Sequence, residues 1–95
     1  MLEFKFEIKD GKLVNRVSGT PIPDDEPLFL LRARDHLAID LLLAYKELCL
    51  SDGCDPTHLE ALELTTSAFL HFRQDHPDRM KQPGITKEVR LPKKP

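Results

Sequence analysis

Glycine is too scarce and too scattered here for a phosphate loop: there are four, and none stands in a GxGxxG or GxxxxGK context. The usual nucleotide-hydrolase and dinucleotide fingerprints are thereby excluded. The chain also lacks GxSxG, HExxH and any serine or cysteine with an evident base beside it in sequence, so the familiar hydrolytic centres are missing. No apolar run approaches the roughly 20 residues that cross a bilayer, and Met1–Lys9 alternates charge where a signal peptide would carry an apolar core. A cytoplasmic location without membrane contact is expected. Cys49 and Cys54 form neither a redox CxxC nor a disulfide framework and read as free thiols. Adding His58, His71 and His76 draws a zinc site on paper. However, Cys49 near the end of one helix and His71 well along the next do not have the spacing of a structural site. No metal and no cofactor is expected.

Basic charge is short in the body of the chain. Residues 1–76 carry eight Lys and Arg against fourteen Asp and Glu, whereas 77–95 carry six against two. Duplex nucleic acid is bound through a basic face on a folded body, so it is not an expected partner. At 95 residues, with 40% hydrophobic and 32% charged side chains, the composition is that of a soluble globular protein with a single core. A chain this short leaves little concave room once that core is filled, which makes a homo-oligomer an expected way of completing a site.

The pattern predicts an α+β fold in one domain over 1–95: a hairpin, proline-rich loop and third strand in 1–34, a helical pair in 35–76, and an extended basic tail in 77–95. Leu2–Lys9 alternates apolar and charged side chains, the period of a strand with one buried face, and Asp10-Gly11 supplies a turn tolerant of positive φ. The partner strand is Lys12–Val17, with Leu13 and Val17 on one face and Val14 on the other. Pro21, Pro23 and Pro27 then prevent a regular interior strand. Leu28–Arg34 is expected as a third strand that points Arg32 and Arg34 the same way.

Asp35 suits the N-cap of a helix over His36–Leu50, with Leu37, Leu41, Ala44, Tyr45 and Leu48 on one stripe. Ile39, Leu42, Leu43 and Cys49 widen the apolar surface, so this helix is expected to be buried on more than one side. Gly53 suits the left-handed residue that closes it. The second helix opens either with Asp55 capping ahead of Pro56 or with a Thr57/Glu60 capping box, and runs to His76-Pro77 with Leu59, Leu62, Thr66, Phe69 and Phe72 on its stripe. Two antiparallel helices on a small sheet follow. In the tail only Ile85–Leu91 has strand character.

The densest cluster of opposite charges is Pro21–His36, PIPDDEPLFLLRARDH. Asp24, Asp25 and Glu26 are hard-oxygen donors but lack the alternating ligand spacing of a cation loop. Arg32 and Arg34 present planar forks that match phosphate or carboxylate, next to a helix start whose amides add positive potential. The alternative is structural, with Arg32 paired to Asp25 or Asp35 and locking the loop onto the helix. The candidate ligand-binding residues are Arg32, Arg34, Asp35, His36, Tyr45 and Asp25.

The stretch Pro21–Asp35, PIPDDEPLFLLRARD, resembles a segment found in small proteins of bacteriophages and prophages; the likeness takes in these fifteen residues and the helix pair after them. The resemblance implies a phage-type accessory protein of the host cytoplasm that acts without catalysis, by binding a host enzyme or by sequestering a nucleotide immune signal in a small oligomer. Three functions fit these residues. The first is capture of a small anion, such as a cyclic dinucleotide, with Arg32 and Arg34 on phosphate and His36 or Tyr45 on base or sugar. The second is a protein-interaction module acting on a host or phage protein through a flat acidic face containing Asp24, Asp25 and Glu26. The third is a metal-dependent phosphoesterase.

Overall fold

The computed structural model of the protein describes residues 5–82. The architecture is α+β. β1 (Phe6–Lys9) and β2 (Lys12–Asn15) form an antiparallel hairpin in which Glu7 faces Val14 and Ile8 faces Leu13. Asp10 and Gly11 both take positive φ, 53° and 76°, the mirror-image turn whose twist matches that of two adjoining strands. β2 stops earlier than expected. The side chain of Asn15 accepts the N–H groups of Val17 and Ser18, each at 3.0 Å, and this local turn competes with further pairing. Val17 is left 95% exposed.

The deepest burial in the hairpin is on the unexpected face, although Phe6 and Leu13 on the expected one are partly buried. Opposed residues share a face, so Val14 lies with Glu7, yet Val14 is buried at 4% while Ile8 is 68% exposed. The cause is the proline-rich loop, which turns back along β2. Asn15 donates to the Thr20 carbonyl at 2.9 Å and Ile22 donates to the Leu13 carbonyl at 3.0 Å, bridging Val14 to Pro21. Pro21 sits at the position of that bridge where no amide proton is required.

The third strand expected over Leu28–Arg34 does not form; β1 and β2 are the only strands among the described residues. The outer edge of β2 is already taken by Thr20–Ile22, and residues 28–34 pair with neither strand. They run outside the core, with Leu28, Phe29 and Leu30 exposed at 56, 82 and 74%, and close in a tight turn where Asp35 donates to the Arg32 carbonyl at 3.0 Å.

α1 spans Ala38–Asp52, two residues later than the sequence suggests. Asp35 still organises its start: the carboxylate accepts the Leu37 N–H at 2.8 Å and the Asp35 carbonyl accepts that of Ala38 at 3.0 Å. The delay comes from the C-terminal side of the chain. Lys81 donates to the Arg34 carbonyl at 2.7 Å and accepts from His36 at 3.0 Å, which holds 34–36 in a parallel bridge instead of a helical turn. Gly53, at φ 70°, closes the helix as expected.

α2 spans Pro56–Asp75, and of the two starts the sequence offers, Asp55 ahead of Pro56 is the one used. Its carboxylate accepts the Thr57 N–H at 2.7 Å. Asp55→Ala is therefore expected to cost about 1 kcal/mol in thermal unfolding followed by circular dichroism, and Thr57→Ala much less. An equal loss from both would mean that the capping box is the working one.

The short Gly53–Asp55 connection makes the helices antiparallel, and Lys46 Nζ meets Glu63 Oε1 at 3.2 Å across them. Both side chains of that pair are partly exposed, so it contributes little beyond register. Ala38, Ile39, Cys49 and Leu62 are buried, and Leu59, Thr66, Phe69 and Phe72 are partly buried, in keeping with the expected α2 stripe. For α1 the expectation fails. Its Ile39–Leu42–Cys49 side is the sheltered one, whereas Leu37, Leu41, Tyr45 and Leu48 are exposed at 50, 50, 46 and 68%. No Cα atom of either strand comes within 8 Å of either helix, so the hairpin does not cover that stripe. α2 ends at His76, followed by a 3₁₀ turn at Pro77–Arg79 with the Arg79 guanidinium 4.8 Å above the Phe72 ring. The expected strand Ile85–Leu91 lies outside the described residues.

Candidate functional site

Arg34, Asp35 and His36 are brought together with Lys81 by the two backbone hydrogen bonds of the parallel bridge. Arg32 stands one tight turn before them. Arg32, Arg34 and His36 are exposed, and Asp35 is partly buried. Among the described residues neither guanidinium has a carboxylate within salt-bridge distance; the ion pair there is Lys46–Glu63. Asp25 is exposed on the acidic loop, where Glu26 donates to the Pro23 carbonyl at 3.1 Å. The clasp of Arg32 onto Asp25 or Asp35 is thus not formed.

Tyr45 is placed elsewhere. It lies two turns into α1, about 12 Å along the helix axis from Leu37, with its hydroxyl 3.2 Å from His58 Nε2 and the two rings edge to face at 5.8 Å. Sequence reasoning did not pair Tyr45 with His58, nor Lys81 with Arg34; only the antiparallel helix pair and the returning chain bring these together.

Two concavities accompany α1. An open groove of 480 Å³ is lined by Tyr45, Leu48, Cys49, Ser51, Asp52 and Cys54. A more enclosed hollow of 160 Å³ lies between Lys5, Leu42, Tyr45, His58, Ala61, Leu62 and Thr65. Arg32 and Arg34 line neither. No group of three His, Cys, Asp or Glu side chains among the described residues converges as metal ligands would.

Cys49 is buried and Cys54 partly so, both as free thiols. The hydrogen bond to the Cys49 thiol, then burial, then the charge of Asp52 push the Cys54 thiol above its ordinary value. The folded chain accordingly holds this proton more tightly than the unfolded one. The stability this contributes is complete below the ordinary thiol range and is lost as pH rises through the raised value. The thiolate is the reactive form, so alkylation of Cys54 by iodoacetamide at pH 8 is expected to be slower than that of glutathione, read by mass spectrometry. A faster reaction would contradict this environment.

No protein-family model matches the chain, and no curated protein or solved structure is significantly similar to it. The residues and their placement therefore carry the functional reading.

Proposed function

We propose that this chain is a non-catalytic accessory protein that works by docking to a partner protein. The observation that supports it is the apolar surface left open along α1, where four large side chains at helical spacing are 46 to 68% exposed. Four such residues present on the order of 400 Å² of contiguous apolar area, comparable to the largest patch a monomer ordinarily shows and frequently functional. Leu28, Phe29 and Leu30 add a second exposed run, with Asp24, Asp25 and Glu26 exposed beside it. The phage-type resemblance implies a host or phage protein as the target. Native mass spectrometry of protein purified from bacterial cells tests the proposal. A stoichiometric protein complex supports it, and a bare monomer free of partner and small molecule overturns it.

A second reading is capture of a nucleotide-type anion within a homo-oligomer. It is favoured by one specific observation: Arg32 and Arg34 are exposed with no carboxylate partner among the described residues, and Lys81 is tied to the same segment. Such a site would need a second subunit to give it walls. In calorimetry against a nucleotide panel, this reading expects micromolar binding that is lost in Arg32→Ala with the circular dichroism spectrum unchanged. The absence of any ligand at that concentration would remove it.

A further inference from the structure

We infer that the exposed face of α1 receives a cationic amphipathic helix, an inference that rests on the docking reading above and adds the chemistry of the occupant. Leu37, Leu41, Ala44 and Leu48 follow one another at spacings of four, three and four residues, the seam by which one helix accepts another. The charges that α1 itself sets beside that seam are mainly acidic, with Arg34 and Lys81 standing before its Leu37 end. α1 carries Asp40, Glu47 and Asp52 against Lys46 alone, and Lys46 is held by Glu63 on the α2 side.

The C-terminal end of α1 concentrates this potential. Its last turn has no basic residue of its own, so the negative end of the helix dipole adds to Glu47 and Asp52, and Lys5, just before β1, is the cation whose charge reaches this end. There the 480 Å³ groove opens between Tyr45, Leu48, Cys49 and Asp52. Its apolar wall fits the methylene stem of a lysine or arginine, and its carboxylate fits the charged tip. A second copy is the poorer occupant. Two α1 helices placed seam to seam would oppose Asp40 to Glu47 when antiparallel and Glu47 to Asp52 when parallel, and like charges so placed oppose association.

The test uses the full chain and two fluorescein-labelled amphipathic peptides of about fourteen residues, identical in leucine pattern, one with lysine and one with glutamine at its polar positions. Fluorescence anisotropy should show saturable binding of the lysine peptide, at least about tenfold tighter than the glutamine peptide, with the advantage shrinking in high salt. The double substitution Glu47→Lys and Asp52→Lys should abolish that advantage while the glutamine peptide binds as before. Equal affinity for the two peptides would overturn the charge assignment and leave the docking reading standing; binding of neither would overturn the inference, while native mass spectrometry decides the docking reading separately. A dimer in size-exclusion chromatography that Leu48→Ser dissolves would assign the face to a second copy instead. Likewise, a gain in affinity for the uncharged glutamine peptide on changing Lys87, Arg90, Lys93 and Lys94 to Gln would assign it to the chain's own C-terminal residues. Either result would overturn the inference.

Discussion

Leu62→Ala is expected to reduce the free energy of unfolding by about 3 kcal/mol and to lower the melting temperature by more than about 10 °C. The magnitude follows from how little is buried. Val14, Ala38, Ile39, Cys49 and Leu62 are the buried apolar residues among those described, and Leu62 is the one α2 contributes. It also lines the 160 Å³ hollow, so truncation would enlarge an existing void between the helices and leave its other walls without a contact. The cost of such a change rises with the cavity that remains, which keeps this site within the usual range for a buried leucine. Leu64→Ala, two residues along the same helix at 49% exposure, is the matched control and should cost about 1 kcal/mol or less. A melting shift of Leu62→Ala no larger than the control's would mean that the helix pair is not the centre of the fold.

The second large effect is on association. Leu41→Glu combined with Leu48→Glu should leave the monomer folded, with a stability change of about 1 kcal/mol or less, because both side chains are at least half exposed. Binding to whatever protein is retained should nonetheless weaken by on the order of 100-fold, since apolar anchors at the centre of a helix interface carry most of its energy. The new carboxylates would also stand beside Asp40, Glu47 and Asp52, adding repulsion within a surface already acidic. The two measurements are separable: circular dichroism melting reads the fold, and quantitative native mass spectrometry reads the complex. Unchanged partner retention with an unchanged melting curve would locate the working surface elsewhere, with Leu28–Leu30 the next exposed apolar run to alter.

Elements governed by neighbours in sequence were legible from the chain alone. The hairpin turn follows from Asp10-Gly11, the closure of α1 from Gly53, and the start of α2 from Asp55-Pro56, because in each the determining backbone conformation or hydrogen bond lies within a few residues. The misreadings are of one kind. Leu28–Arg34 has the composition of a strand, but a strand exists only where it pairs with another, and Thr20–Ile22 had taken the outer edge of β2. α1 starts late because Lys81, far along the chain, claims the backbone of Arg34 and His36. Within the candidate ligand-binding set, Arg34, Asp35 and His36 stay together by adjacency, whereas Tyr45 is drawn to His58 across the helix pair.

An α+β chain with a tight hairpin, two capped helices and an α1 apolar around most of its circumference follows from the order of residues, since turns, caps and periodicity are local properties of the polypeptide. Which side of α1 faces α2, which strand residue is buried, and the lack of acidic partners for Arg32 and Arg34 among the described residues came from packing in three dimensions. Those outcomes depend on competition between distant segments for the same edge or face. An amphipathic pattern records how much apolar surface a helix has to cover, and packing alone determines which part stays open to another molecule.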